Sequence, residues 1–109
     1  MISARLRKLP QRHVCGLLVP VATGFRGRLL GLAGLPPESA GAGLLIPDCS
    51  SVHTLGMRFH LDLVFLDREG EPLAVRRAVA PARLVCCRGA EAVLEVPSSR
   101  GESFPGAGT

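Results

Sequence analysis

The residues whose types could do chemistry are concentrated between positions 49 and 67, in CSSVHTLGMRFHLDLVFLD. Within this stretch Cys49 and His53 could form a nucleophile–base pair, as in a small hydrolase or thiol enzyme, if a loop brought them within hydrogen-bonding reach. A buried cysteine beside a histidine that bonds the backbone is the simpler interpretation. Because this spacing is common by chance, we favour the simpler interpretation.

Metal binding is a second chemistry that the same stretch could support. His60 and Asp62 lie two positions apart, so they share one face of a strand, and His53 could add a third ligand. The competing interpretation is a polar face formed by Arg58, His60 and Asp62, with a weak ion pair between the arginine and the aspartate. We favour the polar face and expect no bound metal.

Asp62 lies between Leu61 and Leu63, where the chain becomes apolar on both faces. A carboxylate near an interior must be paired or hydrogen-bonded. One interpretation is a structural latch, in which Asp62 accepts from backbone N–H groups of the preceding loop, residues 53–57. The other is a role in a ligand pocket, and the sequence leaves both open.

The elements that must position these residues are mainly strands. Apolar and polar residues alternate from Met57 and the chain becomes wholly apolar towards Leu66, which predicts a strand that enters the interior. Further strands are predicted at 13–23, 41–47, 73–79 and 91–96, with a tight turn at 67–72 and one short helix near 25–33. We therefore predict a mainly β fold, a small β-barrel or β-sandwich-like domain.

Length and charge define the expected organisation. A chain of 109 residues supports one domain. We expect a basic N-terminal arm at 1–12, the β domain at 13–97 and a disordered tail at 98–109. Six basic residues and no acid precede Glu38, so this end could contact acidic lipid or an acidic partner. A solvated arm is the favoured interpretation, and the lack of aromatic residues among the basic ones disfavours nucleic acid.

Cofactor and compartment motifs are not found in the sequence. The four cysteines lack metal-site spacing and are expected to be free thiols in a reducing cytosol. The glycines form neither a phosphate loop nor a dinucleotide fingerprint, so we expect no cofactor. No apolar run approaches the ~20 residues of a spanning helix, and Pro20 interrupts the short apolar run near the start. A cytoplasmic protein is expected.

Three stretches together resemble domain-of-unknown-function family 192, found in bacteria and archaea. They are RGRLLGLAGL at 26–35, GLLIPDCSSVHTLGMRFHLDLVFLDREGEPLAV at 43–75 and AVLEV at 92–96. The resemblance implies a compact, mostly β domain with no established reaction. It also implies that His53, Thr54 and Asp62 belong to a common site of the family.

Two departures from the family pattern bear on these expectations. Relatives commonly carry proline at the position of His60, which argues against a family-wide metal site that uses this residue. Relatives also continue beyond Val-Leu-Glu into a final strand, where this chain has VPSSRGESFPGAGT. Loss of that strand would expose a sheet edge, which a protein partner or the tail could cover.

The favoured function is a non-catalytic domain that binds a small polar, anionic or carbohydrate-like molecule. Polar groups at the mouth of an apolar strand are the usual composition of a small-ligand pocket. The expected ligand-binding residues are His53, Thr54, Met57, Arg58 and Asp62. The alternatives are an accessory protein of a membrane or secretion assembly and, last, the enzyme that would use Cys49 and His53.

Overall fold

A computed structural model describes residues 2–22 and 31–98. The fold is mainly β, as predicted, and its sheets are arranged like a sandwich rather than a closed barrel. The strands are β1 (Gln11–Val14), β2 (Leu17–Pro20), β3 (Leu44–Pro47), β4 (Ser51–His53), β5 (Leu61–Leu66), β6 (Pro72–Val79), β7 (Leu84–Cys86) and β8 (Ala92–Pro97). A short helix, α1 (Ala4–Arg7), and a 3₁₀ turn at Pro37–Ser39 complete the described elements.

The central sheet has the strand order β3-β8-β5-β6, with antiparallel neighbours throughout. All six residues of β5 are buried, because other layers cover both faces of the sheet. The β1–β2 hairpin covers one face with Val14 and Val19. The opposite face carries the larger core cluster, to which Leu6, Leu32, Val52 and Met57 belong.

The prediction for 57–66 is confirmed for its second half and wrong for its first. Strand β5 begins at Leu61, and a turn from the N–H of Met57 to the carbonyl of Thr54 precedes it. The residues before the strand still alternate between buried and exposed, since Met57 and Phe59 pack on the core while Arg58 and His60 face solvent. The loop therefore has the period-two apolar pattern of a strand because its alternate residues pack on the core.

The apolar run predicted as one strand at 13–23 folds instead as the hairpin of β1 and β2. Cys15 and Gly16 form its two-residue turn, with φ of 51° and 78°. Positive φ at both positions is the requirement of a type I′ turn. A Cys-Gly pair is a weak signal for such a turn, so the sequence did not reveal the reversal.

The other predicted elements have mixed outcomes. The strands near 41–47, 73–79 and 91–96 are confirmed as β3, β6 and β8, and β6 pairs with β5 across the predicted turn. Of the helix predicted near 25–33, residues 25–30 lie outside the described part of the chain and 31–34 form turns. Residues 99–109 of the predicted tail also lie outside it.

The residues predicted as a basic N-terminal arm pack against the domain. Leu6 is 1% exposed within the larger core cluster. The guanidinium of Arg5 donates to the carbonyls of Gly31 and Ala33. Within residues 2–22 and 31–98, no helix is long and apolar enough to cross a bilayer.

Gly43 is required where β3 approaches β8. A Cβ atom added at this position would lie 2.4 Å from the backbone oxygen of Glu95, and its φ of 141° is one that L side chains rarely adopt. A backbone atom cannot move aside as a flexible side chain can. The close pairing of these two strands therefore depends on the missing side chain.

We expect Gly43→Ala to destabilise the domain by roughly 3 kcal/mol, because backbone strain and overpacking add. Gly70→Ala is the matched control, since Gly70 also has positive φ, at 85°, but an added Cβ meets no atom within 4 Å. This control should cost less, about 1–2 kcal/mol for the positive φ alone. Equal losses for the two variants, measured by urea denaturation, would contradict the steric argument.

Candidate functional site

Thr54 is completely buried directly after β4, and its side chain bonds to the backbone that connects β6 with β7. Its hydroxyl donates to the carbonyl of Ala80 at 2.8 Å and accepts from the N–H of Arg83 at 2.8 Å. Its own N–H donates to the carbonyl of Arg83, and its carbonyl accepts from the N–H of Ala82. Thr54 therefore fastens the connector of residues 80–83 to the loop that follows β4.

Asp62 holds the last residues of β6, which lead into this connector. Its Oδ1 accepts from the N–H of Ala78 at 2.8 Å. Leu61 pairs with Val79 and Leu63 with Arg76, so two residues of β6 face the single residue Asp62 in a β-bulge. Ala78 adopts φ of 52° in this bulge.

In the latch interpretation of Asp62, the carboxylate thus has a different partner from the expected one. The latch interpretation expected the N–H groups of residues 53–57, in the loop that comes before β5. The bulge instead turns the N–H of Ala78 towards the carboxylate from the neighbouring strand. Thr54 and Asp62 together fix the ends of residues 78–83, and both are buried.

The remaining predicted site residues are spread over different surroundings. His53 and Arg58 are exposed, and Met57 is buried in the larger core cluster. The Nδ1 of His53 accepts from the N–H of Leu55, and the guanidinium of Arg58 reaches the carbonyl of Gly34 at 3.5 Å. His53 and Arg58 therefore each bond to backbone within or beside this loop.

Cys49 was the candidate nucleophile and His60 a candidate metal ligand. The Sγ of Cys49 donates to the carbonyl of Ser51 at 2.8 Å, so the thiol and the imidazole of His53 are each bonded to backbone. His60 is exposed and Asp62 is buried, although both were candidates for one metal site. Across the described residues, no group of three or more His, Cys, Asp or Glu side chains is arranged to hold a metal ion.

A cavity of about 410 Å³ lies on the other face of the central sheet, beside the β1–β2 hairpin. Its floor is apolar and buried, formed by Val14, Leu45 and Leu66. Its charged and titratable lining residues are Arg12, His13, Cys15, Asp48, Asp67, Arg68, Glu69, Glu71 and Glu91. None of the five predicted ligand-binding residues lines this cavity.

The turn between β5 and β6 supplies one wall of the cavity. The Oδ1 of Asp67 accepts from the N–H groups of Glu69 and Glu71, both at 2.9 Å, which holds the turn in one shape. Burial, and to a lesser extent the charge of Glu71, raise the pKa of the Cys15 thiol. Sequence reasoning identified this turn but could not bring it beside the hairpin, because the two are about fifty residues apart.

Glu95 is another feature that sequence reasoning did not identify as a candidate site. It is 3% exposed on β8, and within residues 2–22 and 31–98 its Oε1 has no hydrogen-bond partner. A Cβ atom on Gly31 would lie 3.0 Å from this oxygen. The signal was present, because a lone carboxylate in the apolar strand AVLEV raises the same question as Asp62 between two leucines.

Burial raises the pKa of Glu95 from 4.5 to about 7, and the hydrogen bond from the N–H of Leu32 opposes this rise only in part. Desolvation disfavours the charged carboxylate, while a donor stabilises it. The domain therefore contains a buried carboxyl that changes its protonation near neutral pH.

The sequence profile of domain-of-unknown-function family 192 (DUF192), described as "Uncharacterized ACR", matches residues 10–104. The chain belongs to the DUF192 family. The family resemblance that the sequence motifs indicated is thus confirmed. No match is found among curated proteins.

Two solved structures are similar to this DUF192 domain. One is a protein of unknown function from Novosphingobium aromaticivorans, with TM-score 0.59 and 19% identity over 72% of this chain. The other is a "putative transcription regulator" from Sinorhizobium meliloti, with TM-score 0.63 and 20% identity over 75% of this chain. The chain spans 61% and 69% of their respective lengths. At these sequence identities, the structural similarity shows a shared fold alone.

Thr54→Val should destabilise this DUF192 domain by roughly 2 kcal/mol, because the partly buried carbonyl of Ala80 and N–H of Arg83 lose their shared partner. Thr54→Ser keeps the hydroxyl and should cost about 1 kcal/mol, the loss of one methyl group. Denaturant unfolding of both variants measures the difference. If serine cost as much as valine, the methyl group rather than the hydroxyl would hold the connector.

We expect the free energy of unfolding to fall with rising pH because of Glu95. Because its pKa is raised in the folded state, its contribution is complete below about pH 4.5 and is lost as pH rises through about 7. The loss over this range should be roughly 3 kcal/mol and should vanish in Glu95→Gln, which stays neutral. Urea denaturation at several pH values tests this, with the exposed Glu91→Gln as control; an unchanged pH slope in Glu95→Gln would contradict the assignment.

Proposed function

We propose that this domain is a non-catalytic binding module for a small polyhydroxylated, carbohydrate-like molecule, and that the ligand occupies the 410 Å³ cavity. The cavity is the observation that carries the proposal. Its volume lies within the range of small-molecule sites, and such sites typically combine apolar surface with a few orienting polar groups. Buried Val14, Leu45 and Leu66 supply the apolar floor here, and charged side chains surround it.

The charges of the lining favour a neutral ligand with many hydroxyl groups. Five carboxylate side chains line the cavity, against two arginines and one histidine. An anionic ligand would meet an excess of negative charge. Hydroxyl groups donate to carboxylates and accept from guanidinium groups, so a polyol or sugar can use both kinds of side chain.

The residues that the sequence suggested as ligand contacts have other roles in this proposal. Thr54 and Asp62 hold the β6–β7 connector, and Met57 packs in the core on the opposite face of the sheet from the cavity. His53 and Arg58 remain exposed in the loop after β4. They therefore provide variants that distinguish a ligand in the cavity from a ligand in that loop.

The test is a titration of the ¹⁵N-labelled chain with neutral monosaccharides, disaccharides and polyols, with inorganic phosphate as the anionic comparison. We expect saturable amide shifts in residues 12–15 and 67–71 with a polyhydroxylated compound. Arg12→Gln and Glu71→Gln should each weaken this binding by about tenfold, the effect of one charge-assisted hydrogen bond.

His53→Ala and Arg58→Ala are the matched controls and should bind as the unmodified chain does. If instead the shifts centre on residues 53–58 and disappear in these two variants, the ligand site lies in the loop. Binding of phosphate alone would also contradict the proposal, as would the absence of binding by every sugar and polyol.

A further inference from the structure

Two of the most exposed large apolar side chains of the described residues lie at one end of the β4–β7 ribbon. Leu84 is 72% exposed and Leu55 is 59% exposed. Leu84 pairs directly with His53 across the ribbon, and Leu55 follows His53 by two residues, with its N–H bonded to the imidazole. We call Leu55, Leu84 and His53 the leucine tip.

The base of the leucine tip is firmly held. Thr54, between His53 and Leu55, is completely buried and bonds to Ala80, Ala82 and Arg83. Val52, on the opposite side of the ribbon from His53, packs in the larger core cluster. The leucines therefore project from a rigid support, and their exposure is not the result of a loosely packed loop.

The two segments that contain β4 and β7 carry positive charge only. Residues 49–60 and 76–90 contain five arginines and no aspartate or glutamate. Arg58 and Arg83 are exposed, and Arg83 directly precedes Leu84 of the tip. Five of the acidic side chains in the described part of the chain line the cavity instead, and Asp62 and Glu95 are buried.

We propose that the leucine tip is a membrane-contact surface that binds bilayers rich in anionic phospholipid. Projecting leucines beside arginines match the two attractions at a bilayer interface, in which apolar side chains enter the acyl boundary and basic groups meet anionic headgroups. The arrangement complements a negatively charged surface, because the tip and the strands behind it present no carboxylate to repel one. This surface is independent of the cavity.

Two other classes of partner fit the same residues less well. A peptide is usually recognised in a groove or along a long open strand edge, whereas these leucines project and β4 and β7 have three residues each. Single-stranded nucleic acid is usually recognised by basic residues together with aromatic stacking platforms. The chain has no tryptophan or tyrosine, and the apolar side chains of the tip are aliphatic.

The test is co-sedimentation of the full chain with vesicles of phosphatidylcholine alone or mixed with phosphatidylglycerol. We expect binding to the mixed vesicles at low salt, little binding to the neutral ones, and release at ~1 M salt, where the Debye length is ~3 Å. Leu55→Ser and Leu84→Ser should each weaken the binding by about tenfold or more. Arg83→Gln should weaken it by about fivefold.

Leu18→Ser is the matched control, because Leu18 is also a half-exposed leucine, at 52%, but lies on the β1–β2 hairpin. It should bind vesicles as the unmodified chain does, and circular dichroism should show that all variants fold. Equal weakening by Leu18→Ser would overturn the assignment of the surface. Self-association of the lipid-free chain that disappears in Leu55→Ser, without vesicle binding, would overturn it in favour of a second copy as the partner.

Discussion

The interaction on which the rest of the structure depends is the burial of β5 between two covering layers. All six of its residues are buried, and β5 pairs with β8 on one side and β6 on the other. Strands covered on both faces offer no solvent to a polar side chain, so each carboxylate there must find a partner or give up its charge. Asp62 and Glu95 represent these two outcomes.

Asp62 keeps its acceptor role because the neighbouring strand is irregular. The extra residue in β6 turns the N–H of Ala78 towards the carboxylate, and Ala78 itself adopts a backbone conformation that is unfavourable for a residue with a Cβ atom. The hydrogen bond and the bulge are thus two parts of one feature. Glu95 lies where β8 pairs regularly, so among the described residues the donor to its carboxyl is the N–H of Leu32, and burial makes the group a weaker acid.

The sequence was informative where the chain's own neighbours determine the structure. The β5–β6 hairpin and the burial of β5 followed from local apolar pattern and turn residues. Packing of distant segments determined the rest: the loop at 57–60 imitated a strand because Met57 and Phe59 pack on the core. The partner of Asp62 depends on strand register, and the cavity depends on which face of the sheet the first hairpin covers, and neither can be read from local pattern.

The two layers that cover the central sheet are held by different numbers of contacts, and this affects how the molecule opens. The β1–β2 hairpin contributes Val14 and Val19 to the smaller cluster, and beyond it Val21 forms an isolated bridge with Leu45. The opposite face is held by the larger cluster, by Thr54 and by the contacts of Arg5. The two layers therefore need not unfold together, since cooperative units of unequal stability are common within one domain. Lifting of the hairpin would widen the cavity, whose charged rim is already exposed, while the larger cluster stays intact, so exchange of the proposed ligand would not require global unfolding.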